Sequence, residues 1–303
     1  MKKVLAIALL CAVSSFATWD KFPAKEAGKG EAKVGVGYWI NPVGDKSSIL
    51  GATLGGRYSI IEGLEASLQI PFPLSASTID KTDPDKSKGC EADDKTDFVC
   101  PPTYGPPVIG VRYWLPFGLG VALDIALPLQ GDAYQTGGTK DKSAKNTKTL
   151  DFSPAVQYST GITSELSVGA EVSLDIHGQN SESKLKKGMD LGIGVEFDYA
   201  IGSITPYLGV DIGLGLTKPQ LDGEDIDDAT VAAAAAAGVA LSNEASKTAI
   251  GISLGAIYKI NDSMGADLGL TYGLGERYKT KDSKGDDKTA SPITILAHFS
   301  YYF

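Results

Sequence analysis

The sequence predicts an all-β fold, a 12-stranded antiparallel up-and-down transmembrane β-barrel. Three observations predict it. Apolar and polar residues alternate with period two in twelve separate segments. The connections between those segments alternate between short and long. The chain stops on an alternating strand, ILAHFSYYF, with the aromatic ring of Phe303 as its last side chain. Period two places successive side chains on opposite faces of a strand, so each segment has one apolar and one polar face.

The N-terminus is expected to be a leader. MKK is a short basic start, VLAIALLCAVSSF an apolar run, and Ser15-Phe16-Ala17 offers small residues at the positions a signal peptidase reads. Residues 1–17 are therefore expected to be a signal peptide cleaved after Ala17. A lipoprotein anchor on Cys11 would need a smaller residue than Leu10 before it. Residues 18–31 are expected to be a short periplasmic segment, and 32–303 the barrel domain.

Composition agrees with export. Cleavage removes Lys2 and Lys3 and takes the net charge from -9 to -11, which argues against nucleic acid as a partner. No cofactor or metal is implied. Only Cys90 and Cys100 survive cleavage, and both sit in one polar loop, so a disulfide between them is expected in an oxidising compartment. Non-reducing mass spectrometry is expected to find one linked peptide. Two alkylatable thiols in the native protein would refute the bridge.

The strands follow in order, near 32–41, 48–59, 63–73, 106–115, 118–129, 149–159, 163–177, 187–200, 203–217, 246–260, 263–276 and 289–303. The eighth shows the pattern best. Met189, Leu191, Ile193, Val195, Phe197 and Tyr199 make one face; Asp190, Gly192, Gly194, Glu196 and Asp198 make the other. The connections IIE, PF, TGI, IG and ND are short. Between them lie NPVGDKS and the stretches 74–105, 130–148, 178–186, 218–245 and 277–288. Short turns on one side and long loops on the other are the hairpin signature of a membrane barrel. An even strand count puts both termini on the short-turn side.

The apolar face is expected to meet lipid. Tyr58, Tyr113, Tyr158, Tyr199, Tyr258 and Tyr301 lie on it near the ends of the six even-numbered strands, where they would form one interfacial ring. Tyr38, Phe72 and Tyr272 would begin the other. Strand 12 must pair with strand 1 to remove the sheet edges.

Two resemblances follow from these residues. The C-terminal strand with Phe299, Tyr301 and Phe303 resembles the insertion signal of bacterial outer-membrane barrels, which implies recognition by the barrel assembly machinery and outer-membrane lipid as the surroundings. The stretch PVIGVRYWLPFGLGVALDIALPLQG resembles barrels of the MetA-pathway phenol-degradation or transporter type. That resemblance implies passage of a small solute, apolar or aromatic.

Twelve strands enclose a narrow lumen, between the eight that side chains fill and the sixteen of an open porin. By parity its acids are Glu65, Asp124, Asp151, Glu165, Glu171, Asp175, Asp190, Glu196, Asp198, Asp211 and Asp267. Its bases are Lys33, Arg57, Arg112, Lys247 and Lys259. These residues could be a solvated interior of paired charges or a cation-leaning pathway. If the second turn is Ile60-Ile61-Glu62, Arg57 falls opposite Glu65, and Arg112 stands next round the wall near the same height, so Glu65 is expected between two guanidinium groups.

Two other functions are weighed. One is a surface structural or adhesive barrel acting through its loops. The other is a rim protease, because Asp175-x-His177 and Asp83-x-Asp85 resemble the paired dyads of omptins. Omptins, however, have ten strands and tryptophans near the aspartate pair, absent from STIDKTDPDKSKGC. A phospholipase would need an outward Ser-His pair, and His177 and His298 both point inward by parity. In DGEDIDDATVAAAAAAGVALSNEA the acids lack the spacing of a calcium loop. The alanine run is expected to be a short helix capped by Asp228 or Thr230.

Overall fold

The computed structural model describes residues 21–22, 26–41, 46–79, 88–89, 99–100, 104–130, 134–135, 148–181, 183–236, 242–281, 287–289 and 291–303. The signal peptide, Asp83, Asp85 and Cys90 lie outside the described residues, as does the side chain of Cys100.

Twelve antiparallel strands close into a barrel. They are β1 (Gly30–Asn41), β2 (Lys46–Ile61), β3 (Leu64–Ile79), β4 (Val108–Trp114), β5 (Leu119–Ala126) and β6 (Asp151–Gly161). They continue as β7 (Leu166–Asp175), β8 (Asp190–Tyr199), β9 (Ile204–Gly215), β10 (Ala249–Asn261), β11 (Met264–Leu274) and β12 (Ile293–Tyr302). Each pairs with its neighbour in sequence, and β12 pairs antiparallel with β1 from Glu31↔Tyr302 to Ile40↔Ile293. Closure leaves no edge along this seam, as the C-terminal strand requires.

The burial pattern is the reverse of a water-soluble protein. Glu31, Glu65, Arg112 and Gln157 are buried, while Val36, Leu54, Val156, Leu208, Leu254 and Leu268 are exposed on the outside. Only a surrounding of lipid makes that arrangement stable. The six tyrosines are all exposed on this face. Each lies opposite the first residue of the preceding strand: Tyr58 opposite Gly30, Tyr113 opposite Leu64, Tyr158 opposite Leu119. Tyr199, Tyr258 and Tyr301 likewise face Leu166, Ile204 and Met264. They therefore share one height, at the short-turn rim, where amphipathic rings favour the interface.

The turns set the register, and one register differs from expectation. Ser59 faces Glu65 and Ile61 faces Leu64, with a bulge between, so the tight turn is Glu62-Gly63. Gly63 has φ +78°, and a side chain there would strike the Trp114 carbonyl. The bulge adds a residue to β2, and Arg57 slides past Glu65 to face Ser67. Glu165 also differs. It belongs to the exposed turn before β7, because the Thr163 hydroxyl accepts the Glu165 and Leu166 N–H groups and curls the chain there.

One seam is short. β4 pairs with β3 only over Leu64–Gln69; beyond it the Pro71 carbonyl accepts the Gly105 N–H. Neither Pro71 nor Pro73 has an N–H to continue the ladder. At the long-loop end, residues Leu185–Lys186, Gln220–Leu221 and Glu224–Asp225 form a small sheet. It leads into helix α1, Asp228–Ala236. Asp227, not the expected Asp228 or Thr230, is the cap, and accepts the Thr230 N–H at 2.7 Å. The cap must precede the first helical residue and reach the third N–H, a spacing that Asp227 meets. The Thr230 hydroxyl and N–H hold the Asp227 carboxyl below its usual pKa. Among the described residues no helix is long and apolar enough to cross a membrane, which says nothing about crossing by strands.

Candidate functional site: the charged lumen

Strand parity fixes which side chains enter the lumen; pairing across strands fixes which of them meet. Three levels result.

At the short-turn end the charges are matched. Arg57 lies opposite Glu31 on β1 and is bonded to it, Nε at 2.9 Å and a terminal nitrogen at 2.8 Å. Lys33 stands 3.8 Å from the same carboxylate. On the next strands Glu65 faces Arg112, each only 2% exposed. Arg112 donates to Asp124 at 3.1 Å and to the Ser67 hydroxyl at 3.4 Å. The Trp114 indole N–H donates to Glu65 at 3.4 Å. Arg57 and Glu65 thus belong to two neighbouring clusters, not to one pair, as the bulge in β2 dictates.

At mid-height the wall carries acids on β7, β8 and β9. Glu171 lies opposite Gln157 on one side and Gly194 on the other, and Gly194 lies opposite Asp211. Gln157 Nε2 donates to Glu171 at 2.5 Å. Glu196 is two residues along β8. Into this region comes Lys21, from the segment expected to be a periplasmic lead-in. Its ammonium is 3.0 Å from Asp211, and its stem lies against Gly169 and Gly194. Across the lumen His298 lies opposite Asp267, Nδ1 to Oδ2 3.2 Å.

The long-loop end holds the remaining acids. His177 Nδ1 is 3.2 Å from Asp151, which also accepts the Gly178 N–H. Asp175 accepts the Ser153 hydroxyl at 2.6 Å and stands opposite Asp190, which pairs with Arg277 at 3.2 Å. His177 and Asp175 therefore take different partners and form no dyad. Residues two apart on one strand are separated by about 6.5–7 Å, whereas cross-strand neighbours approach to about 5 Å.

The other expected lumen residues divide. Asp198 lies in the wall, opposite Ser167 and Tyr207. Lys259 is exposed at the short-turn rim and pairs with Asp262 at 2.7 Å. Lys247 is exposed in the loop before β10, and Glu165 in the turn before β7, so neither lines the wall. Counting only charges missed Gln157 and Trp114, although both are inward by the same parity. Glu31 and Lys21 precede the first clear alternation and gave no signal. Among the described residues no cluster could hold a metal ion.

Comparisons with known proteins agree with this architecture. Residues 151–290, under half of the chain, match the profile of the Opacity family porin protein. An outer membrane channel from Pseudomonas putida F1 is similar in fold, with TM-score 0.63 and 11% identity over 93% of this chain and 98% of that one. The transport unit of the autotransporter AIDA-I from Escherichia coli is similar at TM-score 0.50 and 10% identity, over 98% of this chain and 97% of the other. Likeness at such identity concerns the fold. No curated protein matches the sequence.

Proposed function

We propose that this chain, a β-barrel of the bacterial outer membrane, is a narrow channel for small solutes with an acidic middle and outer lumen. The observation that carries the reading is the mid-height wall. Its acids alternate with glycines and hydroxyl residues, such as Gly192, Gly209, Gly213, Ser253 and Thr271, instead of bulky apolar side chains that would fill the space. Asp211 leaves 52% of its side chain exposed although it points inward, so the wall there is wetted. Export by residues 1–17 and insertion through Phe299, Tyr301 and Phe303 belong to the same reading. The reading assigns no catalysis.

Charge pairing decides where selectivity arises. The short-turn end is neutralised by the Arg57–Glu31 and Arg112–Asp124 pairs, so discrimination falls to the acids above. In planar bilayers with a salt gradient, the wild type is expected to favour cations. Asp151→Asn with Asp190→Asn is expected to move the reversal potential toward anions. Glu31→Gln is expected to do the same by baring Arg57. An unchanged potential in both variants would mean that the strand-borne charges do not line the path. A barrel silent at every salt concentration would overturn the channel and leave a loop-based surface role.

A further inference from the structure

We propose that Glu171, Gly194, Glu196 and Asp211, with Gln157 beside them, form a binding niche for a primary alkylammonium group, and that Lys21 is its built-in occupant. The niche has a regular construction. Gln157, Glu171, Gly194 and Asp211 are direct neighbours on β6, β7, β8 and β9. Strands are spaced about 4.8 Å, so Glu171 and Asp211 stand roughly 10 Å apart at their backbones with a bare glycine between them. Two carboxylates can lean over that glycine from either side and meet one cation. Glu196, two residues down β8, closes the lower side.

The occupant shows what fits. The Lys21 ammonium lies 3.0 Å from Asp211, on the strand next to that of Glu196 and two from that of Glu171, and its side chain is only 9% exposed. A Cβ at Gly194 would collide with Lys21 Cε, and one at Gly169 would come within 2.9 Å of Lys21 Cβ. Two glycines on adjacent strands thus clear a groove for a four-carbon stem that ends at the acids. A separate observation points to a missing donor. Gln157 is 1% exposed, its Nε2 is used by Glu171, and its Oε1 has no hydrogen-bond partner with Lys21 in place, so the lysine leaves this acceptor unused. A buried amide oxygen is costly to leave unsatisfied, and an ammonium carries three N–H donors.

These features select by chemistry. A quaternary ammonium has the charge but no N–H for Gln157 or the carboxylates. A carboxylate solute is repelled. A linear primary amine or α,ω-diamine reproduces both the charge and the stem of lysine. Solute and Lys21 therefore compete, and displacement of Lys21 by an incoming amine would vacate its place in the lumen. The site stands on its own geometry; the consequence for passage rests on the channel reading.

The test uses the full-length barrel, refolded in detergent and checked by heat-modifiable gel mobility. 1,4-Diaminobutane is titrated calorimetrically, with tetramethylammonium and butyrate as controls. Lys21→Ala is expected to bind the diamine about tenfold or more tightly than the wild type, because an internal competitor lowers apparent affinity by the fraction of time the niche is free. Adding Asp211→Asn to Lys21→Ala is expected to abolish that binding. Gly194→Ala, which keeps every charge but fills the niche, is expected to abolish it as well, and so guards against loss of charge alone. Equal affinity in the wild type and in Lys21→Ala would overturn the proposal. So would tetramethylammonium binding as tightly as the diamine, or retained binding in Gly194→Ala with Lys21→Ala. Bilayer recordings of the same samples separate the two ideas. Conductance without diamine binding removes the niche and keeps the channel; binding without conductance in any variant does the reverse.

Discussion

Deleting Phe303 is expected to reduce the yield of folded barrel in the outer membrane several-fold while leaving synthesis unchanged. Phe303 has two attachments at the seam. Its carbonyl accepts the Gly30 N–H at 2.8 Å, and its own N–H donates to the Gly30 carbonyl at 3.1 Å. These bonds extend the β1–β12 ladder to the rim. In water each would contribute about 0.5–1.5 kcal/mol, but at a lipid-facing edge an open group has no water to replace its partner. The ring stacks on Tyr301 at 6.3 Å between centroids and lies on the tyrosine belt. Deletion therefore opens the last rung and removes one interfacial anchor. Comparing heat-modifiable barrel in outer-membrane fractions with total protein checks this. Equal outer-membrane yield would count against a signal in the last residues. Phe303→Tyr, which keeps ring and backbone, is expected to retain the yield.

Arg112→Ala is expected to be the most damaging single substitution inside the lumen. The guanidinium is 2% exposed, faces Glu65 and donates to Asp124 and Ser67. Its removal leaves two carboxylates, on the strands either side of β4, with the cation between them gone. Breaking a buried ion pair from one side costs about 3–5 kcal/mol, because the remaining charge keeps its desolvation without its partner. The loss should appear as a lower midpoint for denaturant-induced unfolding and a lower temperature for the loss of heat-modifiable mobility. Arg112→Met combined with Glu65→Gln and Asp124→Asn is expected to recover most of it, since no unpaired charge then remains. If the single variant unfolds like the wild type, water must reach this cluster freely, and the matched floor would not be a structural element.

The two predictions probe different layers of information in the chain. The seam was legible from the ILAHFSYYF pattern, since an alternating apolar strand at the terminus has only β1 left to pair with. The Arg112 cluster was half legible. Parity placed Arg112, Glu65 and Asp124 inward and set Glu65 between Arg57 and Arg112; the Arg57 half differs, because it assumed a three-residue turn. The bulge at Ser59/Ile61 puts Arg57 opposite Ser67, and the separate β1–β2 register gives Arg57 to Glu31. A tighter turn followed by a bulge moves each partner by two residues, which keeps every face and is invisible to periodicity, yet reassigns the partners along the hairpin.

Strand number, the in-or-out direction of nearly every wall residue, and the ring of six tyrosines follow from the sequence itself. Each depends only on period two and on where a segment begins and ends, which are local properties. Three features came only from the tertiary structure: the Arg57–Glu31 pair, the separate partners of Asp175 and His177, and the placement of Lys21 over Gly194. Each joins residues on different elements, and none repeats with a period. Register is fixed by bulges, glycine turns and the closure of the last strand on the first. The position of a segment without alternation, such as the one bearing Lys21, is fixed by the charges that the closed wall presents to it.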